Sequence, residues 1–314
     1  MEEEAQDRGV MDVFKWFLFM ATDIIGKLSF GESSRTLETG EHGRYPSNHS
    51  SLVILANRFT LAARLSPAFS AVPKSRRYAR ESIARHERLA LFSNVFKAKN
   101  EERMTPEEVF PEAESYIIAG TGTTSNTLTY LVWSVCSHPK IQEELVRELR
   151  SLPQDFGDAE LKELPYLALV IEETLRLYSA VPSGLPRIVP PGGAELAGHR
   201  LDEGVTVCAQ AYSMHNNPDV FPDPLSFKPE RWAEPVPKVM RDSFMPWGRG
   251  ARLCIGMHLA KMELRLSTAK FFLTFPDAKV STQEGMSDKD MMPPDVYFLM
   301  RPPGKRCLIE TRSV

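Results

Sequence analysis

The sequence is poor in cysteine and has no excess of charge of either sign. Four cysteines are spread over 314 residues, and none of them forms a C-x-x-C pair. This spacing argues against a zinc site or a disulfide framework and favours a reducing compartment. The net charge of −3 and the isoelectric point near 6.2 provide no general attraction to nucleic acid, so we expect no nucleic-acid partner.

The sequence also lacks a hydrophobic run long enough to cross a bilayer. The most apolar early segment, residues 13–25, contains Lys15 and Asp23 and is too short for a span. The chain starts with three acidic residues after Met1, unlike a secretory signal peptide. We therefore expect no transmembrane anchor in this chain.

Helical patterns dominate residues 11–180, whereas the proline-rich remainder, 181–314, predicts short strands and loops. The predicted helices cover 11–30, 51–64, a long segment from Thr105-Pro106 to about 137, a shorter one after Pro139, and 167–178. The predicted strands cover 185–189, 194–201, 205–209 and 296–300. A basic cluster between Lys74 and Arg88 is interpreted as a solvated helix face, with a docking surface for an acidic partner or a membrane as the alternative.

The long helix contains a run of poor helix formers, Ala119-Gly-Thr-Gly-Thr-Thr124. Threonine hydroxyls can bond to backbone carbonyls of the preceding turn, so this run predicts a local kink. The alternative is structural, because small residues also allow another helix to approach closely.

A pair of opposite charges, Glu173 and Arg176, shares one face of an apolar helix. On an exposed helix such a pair contributes only ~0.3–0.5 kcal/mol. The surrounding Leu, Val and Ile residues predict burial, where a further hydrogen-bonding partner is needed. Arg231 is the candidate for that partner.

A glycine-rich loop with one cysteine, Cys254, leads into another helical pattern. The predicted apolar face of that helix is formed by Ile255, Leu259, Met262, Leu266 and Ala269. A cysteine at a helix N-terminus lies near unpaired N–H groups that favour an anionic sulfur. The alternative is a buried structural cysteine.

The residues around Cys254 resemble the haem-binding loop of cytochromes P450. An aromatic residue stands at −7, Gly250 at −4, Arg252 at −2 and Gly256 at +2. The aromatic residue is Trp247, where the family usually has Phe.

Three further motifs occur in the order typical of this family. Ala119-Gly120-x-x-Thr123-Thr124 resembles the oxygen-activation motif of its central helix, Glu173-x-x-Arg176 resembles its K-helix motif, and Arg231 matches the arginine that completes a charged triad. Residues 14–31 are similar to a helix of fungal members. The resemblance covers about residues 11–310.

The resemblance implies a mainly α fold with small β-sheets, in a single partial domain over 1–314. The membrane anchor, the N-terminal sheet and the B–D helices of the family are not recognisable, so we expect an N-terminally truncated member. The helical part, 11–180, would hold the I and K helices. The part from 181 to 314 would hold strands, meander, haem loop and L helix.

The resemblance also implies residue roles. Cys254 would be the axial ligand of the iron of haem b, and Arg252 and Arg187 would bind its propionates. Trp247, Gly250 and Gly256 would form the rest of the haem loop. Thr123, with Thr124 and Gly120, would hold dioxygen and relay protons. The triad Glu173, Arg176 and Arg231 would be structural.

The implied function is a haem-dependent monooxygenase that oxidises a hydrophobic small molecule, in fungal secondary metabolism. Dioxygen would be the oxidant, and electrons would come from NADPH through NADPH–cytochrome P450 reductase. Gly122 stands where the family usually has Asp or Glu, which keeps a haem-thiolate isomerase or dehydratase as an alternative. A catalytically inactive remnant or a non-enzymatic haem-binding module would also be compatible with these motifs.

Overall fold

The computed structural model describes residues 1–31, 33–40, 106–296 and 298–312. The helix predicted at 51–64 and the basic cluster between Lys74 and Arg88 lie outside the described residues. The helices are α1 Glu2–Arg8, α2 Val13–Phe30, α3 Thr36–Thr39, α4 Pro106–Cys136, α5 Pro139–Leu149, α6 Asp158–Lys162, α7 Pro165–Leu177, α8 Ala211–His215, α9 Lys238–Ser243 and α10 Met257–Thr274. The strands are β1 Met11–Asp12, β2 Gly184–Ile188, β3 Ala194–Leu196, β4 His199–Leu201, β5 Thr206–Gln210, β6 Lys279–Val280, β7 Asp295–Val296, β8 Met300–Arg301 and β9 Leu308–Glu310.

Helix α2 begins and ends at residues suited to those positions. The carboxylate of Asp12 accepts a hydrogen bond from the amide of Phe14 at 3.1 Å, which satisfies a donor that the first helical turn leaves unpaired. Gly31 ends the helix with a φ of 77°, a left-handed conformation that suits glycine. The prediction of a helix over 11–30 is confirmed, except that residues 11–12 form a strand. Within the described ranges, no helix is both long and apolar enough to cross a membrane.

The core lies between α2, α4, α5, α7 and α10. Helix α4 packs against α2, α7 and α10, and α7 also contacts the short 3₁₀ turn Pro229–Trp232. The centre is apolar, with Phe17, Leu128, Leu131, Leu145, Leu167, Leu264 and Phe272 all buried. Each side chain of this kind contributes about 1.5–3 kcal/mol when it leaves water. This packing makes α4 the central element of the described structure.

The sheets are small and antiparallel. Strands β1, β9 and β6 form one sheet in that order, and β2–β5, β3–β4 and β7–β8 form three separate pairs. The single strand predicted at 194–201 is wrong, because Ala197 and Gly198 both have positive φ and fold the segment into a hairpin. The strand predicted at 296–300 is also wrong. Val296 pairs with Met300, so the segment turns back and satisfies its backbone hydrogen bonds within a hairpin.

The predicted apolar face of α10 is only partly correct. The helix begins at Met257, so Ile255 precedes it and is 80% exposed. The buried side instead contains Glu263, Leu264, Thr268, Ala269, Phe271 and Phe272. The helix carries apolar residues on two sides, and the packing of α4 against one of them decides which is buried. The other side, with Leu259, Met262 and Leu266, lines a cleft of about 1010 Å³ against α2.

Candidate functional site

The loop before α10 holds Cys254 by backbone hydrogen bonds and a short 3₁₀ turn. That turn covers Gly250–Arg252, and its glycine has a φ of 72°. The amide of Cys254 donates to the carbonyl of Trp247 at 2.9 Å. Gly248 has a φ of 71°, a value that side-chain-bearing residues rarely adopt. Both glycines therefore allow the chain to bring the cysteine to the N-terminal end of α10.

The sulfur of Cys254 lies at the surface in an apolar setting. Cys254 is exposed, and its neighbours Leu253 and Ile255 are 46% and 80% exposed. A Cβ added at Gly256 would lie 3.9 Å from the sulfur, an ordinary contact distance. The alternative of a buried structural cysteine is therefore wrong for Cys254, whereas Cys136 and Cys307 are buried.

The residues around this sulfur fit a haem group. A thiolate is one of the protein ligands that haem iron accepts, and exposed Leu253 and Ile255 provide apolar surface beside it. The guanidinium groups of Arg187 and Arg252, both exposed, suit carboxylates such as haem propionates. The indole N–H of Trp247 is buried without a hydrogen-bond partner. In the described part of the chain, no three His, Cys, Asp or Glu side chains are placed to hold a metal ion instead.

Arg187 lies on β2, where its Nη1 donates to the carbonyl of Pro186 at 2.9 Å. Strand β2 pairs with β5, which places Arg187 opposite Val207. The structure therefore holds this arginine on a two-stranded sheet, while Arg252 belongs to the cysteine loop itself. Their role as propionate ligands remains a prediction.

The three predicted residues of α4 have different neighbours. Thr123 is partly exposed, and its hydroxyl donates to the carbonyl of Ala119 at 2.6 Å. Thr124 is buried and forms a side-chain hydrogen bond with Glu263 of α10. A Cβ on Gly120 would lie 2.7 Å from the side chain of Ile25, so this glycine allows α2 to approach closely. The close-approach interpretation therefore holds for Gly120, and the catalytic role of Gly120, Thr123 and Thr124 remains a prediction.

Glu263 belongs to none of the motifs recognised in the sequence. It lies on the buried side of α10, is 6% exposed, and burial raises the pKa of its carboxyl to about 7. The hydrogen bond with Thr124 opposes this rise. The available signal was only an acidic residue between Met262 and Leu264, in a helical segment that also carries Lys261 and Arg265.

The charged triad is assembled around the carboxylate of Glu173, whose side chain is fully buried. Arg176 donates to it twice, from Nε at 2.9 Å and from Nη2 at 2.8 Å. Arg231 donates from Nε at 2.9 Å, although it is 58 residues away in sequence. The amide of Lys228 and the indole N–H of Trp232 donate at 2.9 and 3.0 Å. The structure thus brings the three predicted residues together and gives the carboxylate five hydrogen bonds.

The second terminal nitrogen of Arg176 reaches backbone carbonyls. Its Nη1 donates to the carbonyls of His215 and Pro224 at 2.8 and 2.7 Å. These bonds hold the proline-rich segment that precedes the cysteine loop against α7.

His215, at the end of α8, also lies outside the motifs recognised in the sequence. It is fully buried, and burial lowers its pKa to about 4.

A thiol exposed on a glycine-rich loop, beside apolar surface and arginines, fits a haem-thiolate protein of mainly α fold. The protein-family model for Cytochrome P450 matches residues 67–309 of this chain. The chain belongs to the cytochrome P450 family.

Curated relatives agree with this assignment. Cytochrome P450 monooxygenase tazI of Aspergillus terreus is 47% identical over 334 residues, covering 99% of this chain and 68% of the relative. Cytochrome P450 monooxygenases orf2 and azaI of Aspergillus niger are 38% and 36% identical, covering 98% of this chain and 67% and 74% of their own lengths. The predictions of a P450-like fold, of a likeness to fungal members and of the monooxygenase class are confirmed.

Proposed function

We propose that this chain inserts one oxygen atom from O₂ into a hydrophobic small molecule of fungal secondary metabolism, with electrons from an NADPH-dependent reductase. The observation that carries the proposal is Cys254, exposed on its glycine-rich loop between apolar side chains. The similarity to Aspergillus monooxygenases supports the reaction class. The substrate class, the pathway and the reductase rest on the family resemblance.

The loop residues would hold the haem from one side. When bound, the haem supplies the redox chemistry that activates oxygen, and a thiolate ligand donates electron density to it. Cys254 would provide that thiolate, while Arg187 and Arg252 would pair with the propionate carboxylates. Gly256 would keep the space beside the sulfur free of a side chain, and Gly250, with its φ of 72°, would let the loop turn. The ring of Trp247 would contribute apolar surface.

The hydroxyl of Thr123 would hold a proton for the proposed oxygen chemistry. In the structure this proton lies in the 2.6 Å hydrogen bond to the carbonyl of Ala119, and the oxygen lone pairs remain able to accept. Rotation of the side chain would turn the proton away from the helix. Because Gly122 offers no carboxyl, water would have to resupply that proton. The buried carboxyl of Glu263 forms its hydrogen bond with Thr124 and not with Thr123. We therefore do not assign Glu263 the role of resupplying the proton of Thr123.

The test is the spectrum of the reduced protein with carbon monoxide after loading with haem. We expect the long-wavelength Soret band that thiolate ligation produces. Cys254→Ala should remove this band, whereas Cys208→Ala, a change at another exposed cysteine, should leave it unchanged. A band at the imidazole-type position in the unchanged chain, or a thiolate-type band that survives Cys254→Ala, would refute the ligand assignment.

A further inference from the structure

His215 connects the buried charge cluster to the cysteine loop. Its Nδ1 lies 3.0 Å from the carbonyl of Arg176, and its carbonyl accepts from the guanidinium of the same arginine at 2.8 Å. On the other edge of the ring, Nε2 lies 2.9 Å from the amide nitrogen of Met245. One side chain therefore bridges α7 and the first residues of the loop.

The partners of the ring define its protonation. A backbone amide only donates and a carbonyl only accepts, so Nε2 must be the acceptor and Nδ1 must carry the hydrogen. This is the neutral imidazole, the form that full burial favours. A protonated ring would place a hydrogen on Nε2 against the N–H of Met245 and break that bond.

Aromatic side chains provide a second route of contact between His215 and the Glu173 cluster. The ring of His215 lies 5.4 Å from that of Phe244, and Phe244 lies 4.6 Å from Trp232, measured between centroids. The indole of Trp232 donates to Glu173. The histidine, two aromatic rings and the Glu173–Arg176 pair thus form a closed ring of contacts. Such a ring resists the displacement of any one member.

The contact at Met245 continues to the cysteine through backbone hydrogen bonds. The carbonyl of Met245 accepts from the amide of Gly248 at 3.1 Å, which forms the first turn of the loop. The carbonyl of Trp247, inside that turn, accepts from the amide of Cys254 at 2.9 Å. Met245 is therefore linked to Cys254 through the turn that it starts and the backbone hydrogen bond made from within that turn.

We propose that His215 is a positioning residue that fixes the cysteine loop through its acceptor bond to the Met245 amide and thereby keeps Cys254 in place as the haem ligand. The inference rests on the proposed function, in which Cys254 ligates the haem. His215 does not touch the reacting atoms. It transmits the rigidity of the Glu173 cluster to the loop.

Two substitutions at His215 test the roles of the two ring nitrogens separately. His215→Gln carries an oxygen at about the position of Nε2 and can still accept from Met245. His215→Asn carries a donor at about the position of Nδ1 but has no group that reaches Met245. His138 is the matched control, because its Nδ1 also contacts a carbonyl, that of Ser134 at 2.7 Å, and its ring packs on Phe227.

The first measurement is amide hydrogen exchange of the segment 244–248 in the full chain loaded with haem, at a temperature where circular dichroism shows each variant folded. We expect exchange at Met245 to be about tenfold faster in His215→Asn than in the unchanged chain. His215→Gln should stay within about twofold, and His138→Asn should leave this segment unchanged. A folded but unprotected Met245 amide in the unchanged chain would overturn the inference, even if His215→Asn does not fold.

The second measurement is the reduced carbon monoxide spectrum of the same samples. Two Soret bands are compared, the thiolate-type band and the band at the imidazole-type position that appears when the thiolate is lost. We expect the ratio of the first to the second to fall about fivefold or more in His215→Asn and to recover in His215→Gln. A purely structural role predicts lower stability in both variants with an unchanged ratio, and that result would refute the inference. If the unchanged chain itself shows no thiolate-type band, the proposed function fails instead.

Discussion

Glu173 illustrates how a single buried charge depends on its partners. Its carboxylate accepts five hydrogen bonds, and the side chains of Arg176 and Arg231 are 0% and 7% exposed. Taking charges out of water is costly, and mutual attraction offsets that cost only when all members are present. We therefore expect the cluster to specify how the proline-rich segment lies on α7 more than to add net stability.

Replacing Glu173 with glutamine should destabilise the chain by about 3–5 kcal/mol, because two buried guanidinium groups would lose their counter-charge. Glutamine keeps the shape, so packing changes little. Urea unfolding followed by circular dichroism measures the difference. The control is Glu144→Gln, which removes an exposed ion pair with Arg147 and should change the free energy of unfolding by less than about 1 kcal/mol. Equal effects at both positions would contradict the prediction.

Glu263 should make stability depend on pH in the opposite direction from most carboxylates. Burial raises its pKa from 4.5 to about 7, so between these values the folded state binds more protons than the unfolded state. The stabilisation is fully present below about pH 4.5 and is lost as the pH rises through 7. The free energy of unfolding above pH 7 should therefore be lower than that below pH 4.5 by on the order of 3 kcal/mol.

Glu263→Gln stays neutral at every pH and should therefore become more stable than the unchanged chain as the pH rises from about 4.5 to about 8. Chemical unfolding at several pH values measures the gap between the two proteins. A gap that stays constant across this range would show that the carboxyl titrates normally in the folded state.

At the scale of elements, the contact between α2 and α4 depends on a missing side chain. An added Cβ at Gly120 would lie 2.7 and 2.8 Å from Cγ1 and Cδ1 of Ile25. Helices can approach this closely only where one of them carries a very small residue. Gly120, within the small-residue run of α4, thus has a packing function on the α2 side.

Gly120→Ala should destabilise the chain by about 1–3 kcal/mol, because two well-packed helices must move apart. Ile25→Ala removes both clashing atoms and leaves only Cβ, 3.2 Å from the new methyl group. The double variant should therefore be more stable than the sum of the single effects predicts. Thermal unfolding of all four proteins measures this coupling, and strict additivity would show that the two side chains do not meet.

At the scale of the whole molecule, haem binding and folding should be coupled. A ligand that binds only the folded chain stabilises it by about 4 kcal/mol when its free concentration is about 1,000 times its Kd. Haem should therefore raise the melting temperature of the unchanged chain and of Cys208→Ala. The melting temperature of Cys254→Ala should rise less on haem binding, because this variant lacks the thiolate. Calorimetry with and without haem measures the shifts, and equal shifts in all three proteins would place the haem elsewhere.

The sequence alone determined the parts that depend on near neighbours along the chain. Caps and periodicity located α2, α4, α5 and α7, and the spacing of aromatic, glycine, arginine and cysteine residues marked the loop at Cys254. These signals are local because helix geometry and turn conformations depend on a few adjacent residues. The burial of the Glu173–Arg176 pair was also readable, since apolar residues surround it in sequence.

Only the tertiary structure decided which distant groups meet. It assigned the buried side of α10, divided two predicted strands into hairpins, and placed Ile25 against Gly120. It also brought His215 to Met245, 30 residues away, and gave Glu263 a buried position on α10. Periodicity shows that a face is apolar but not what covers it, and a polar residue reveals its partner only when the chain has folded. The loop that carries Cys254 was therefore recognisable from the sequence, whereas the contacts that hold this loop were not.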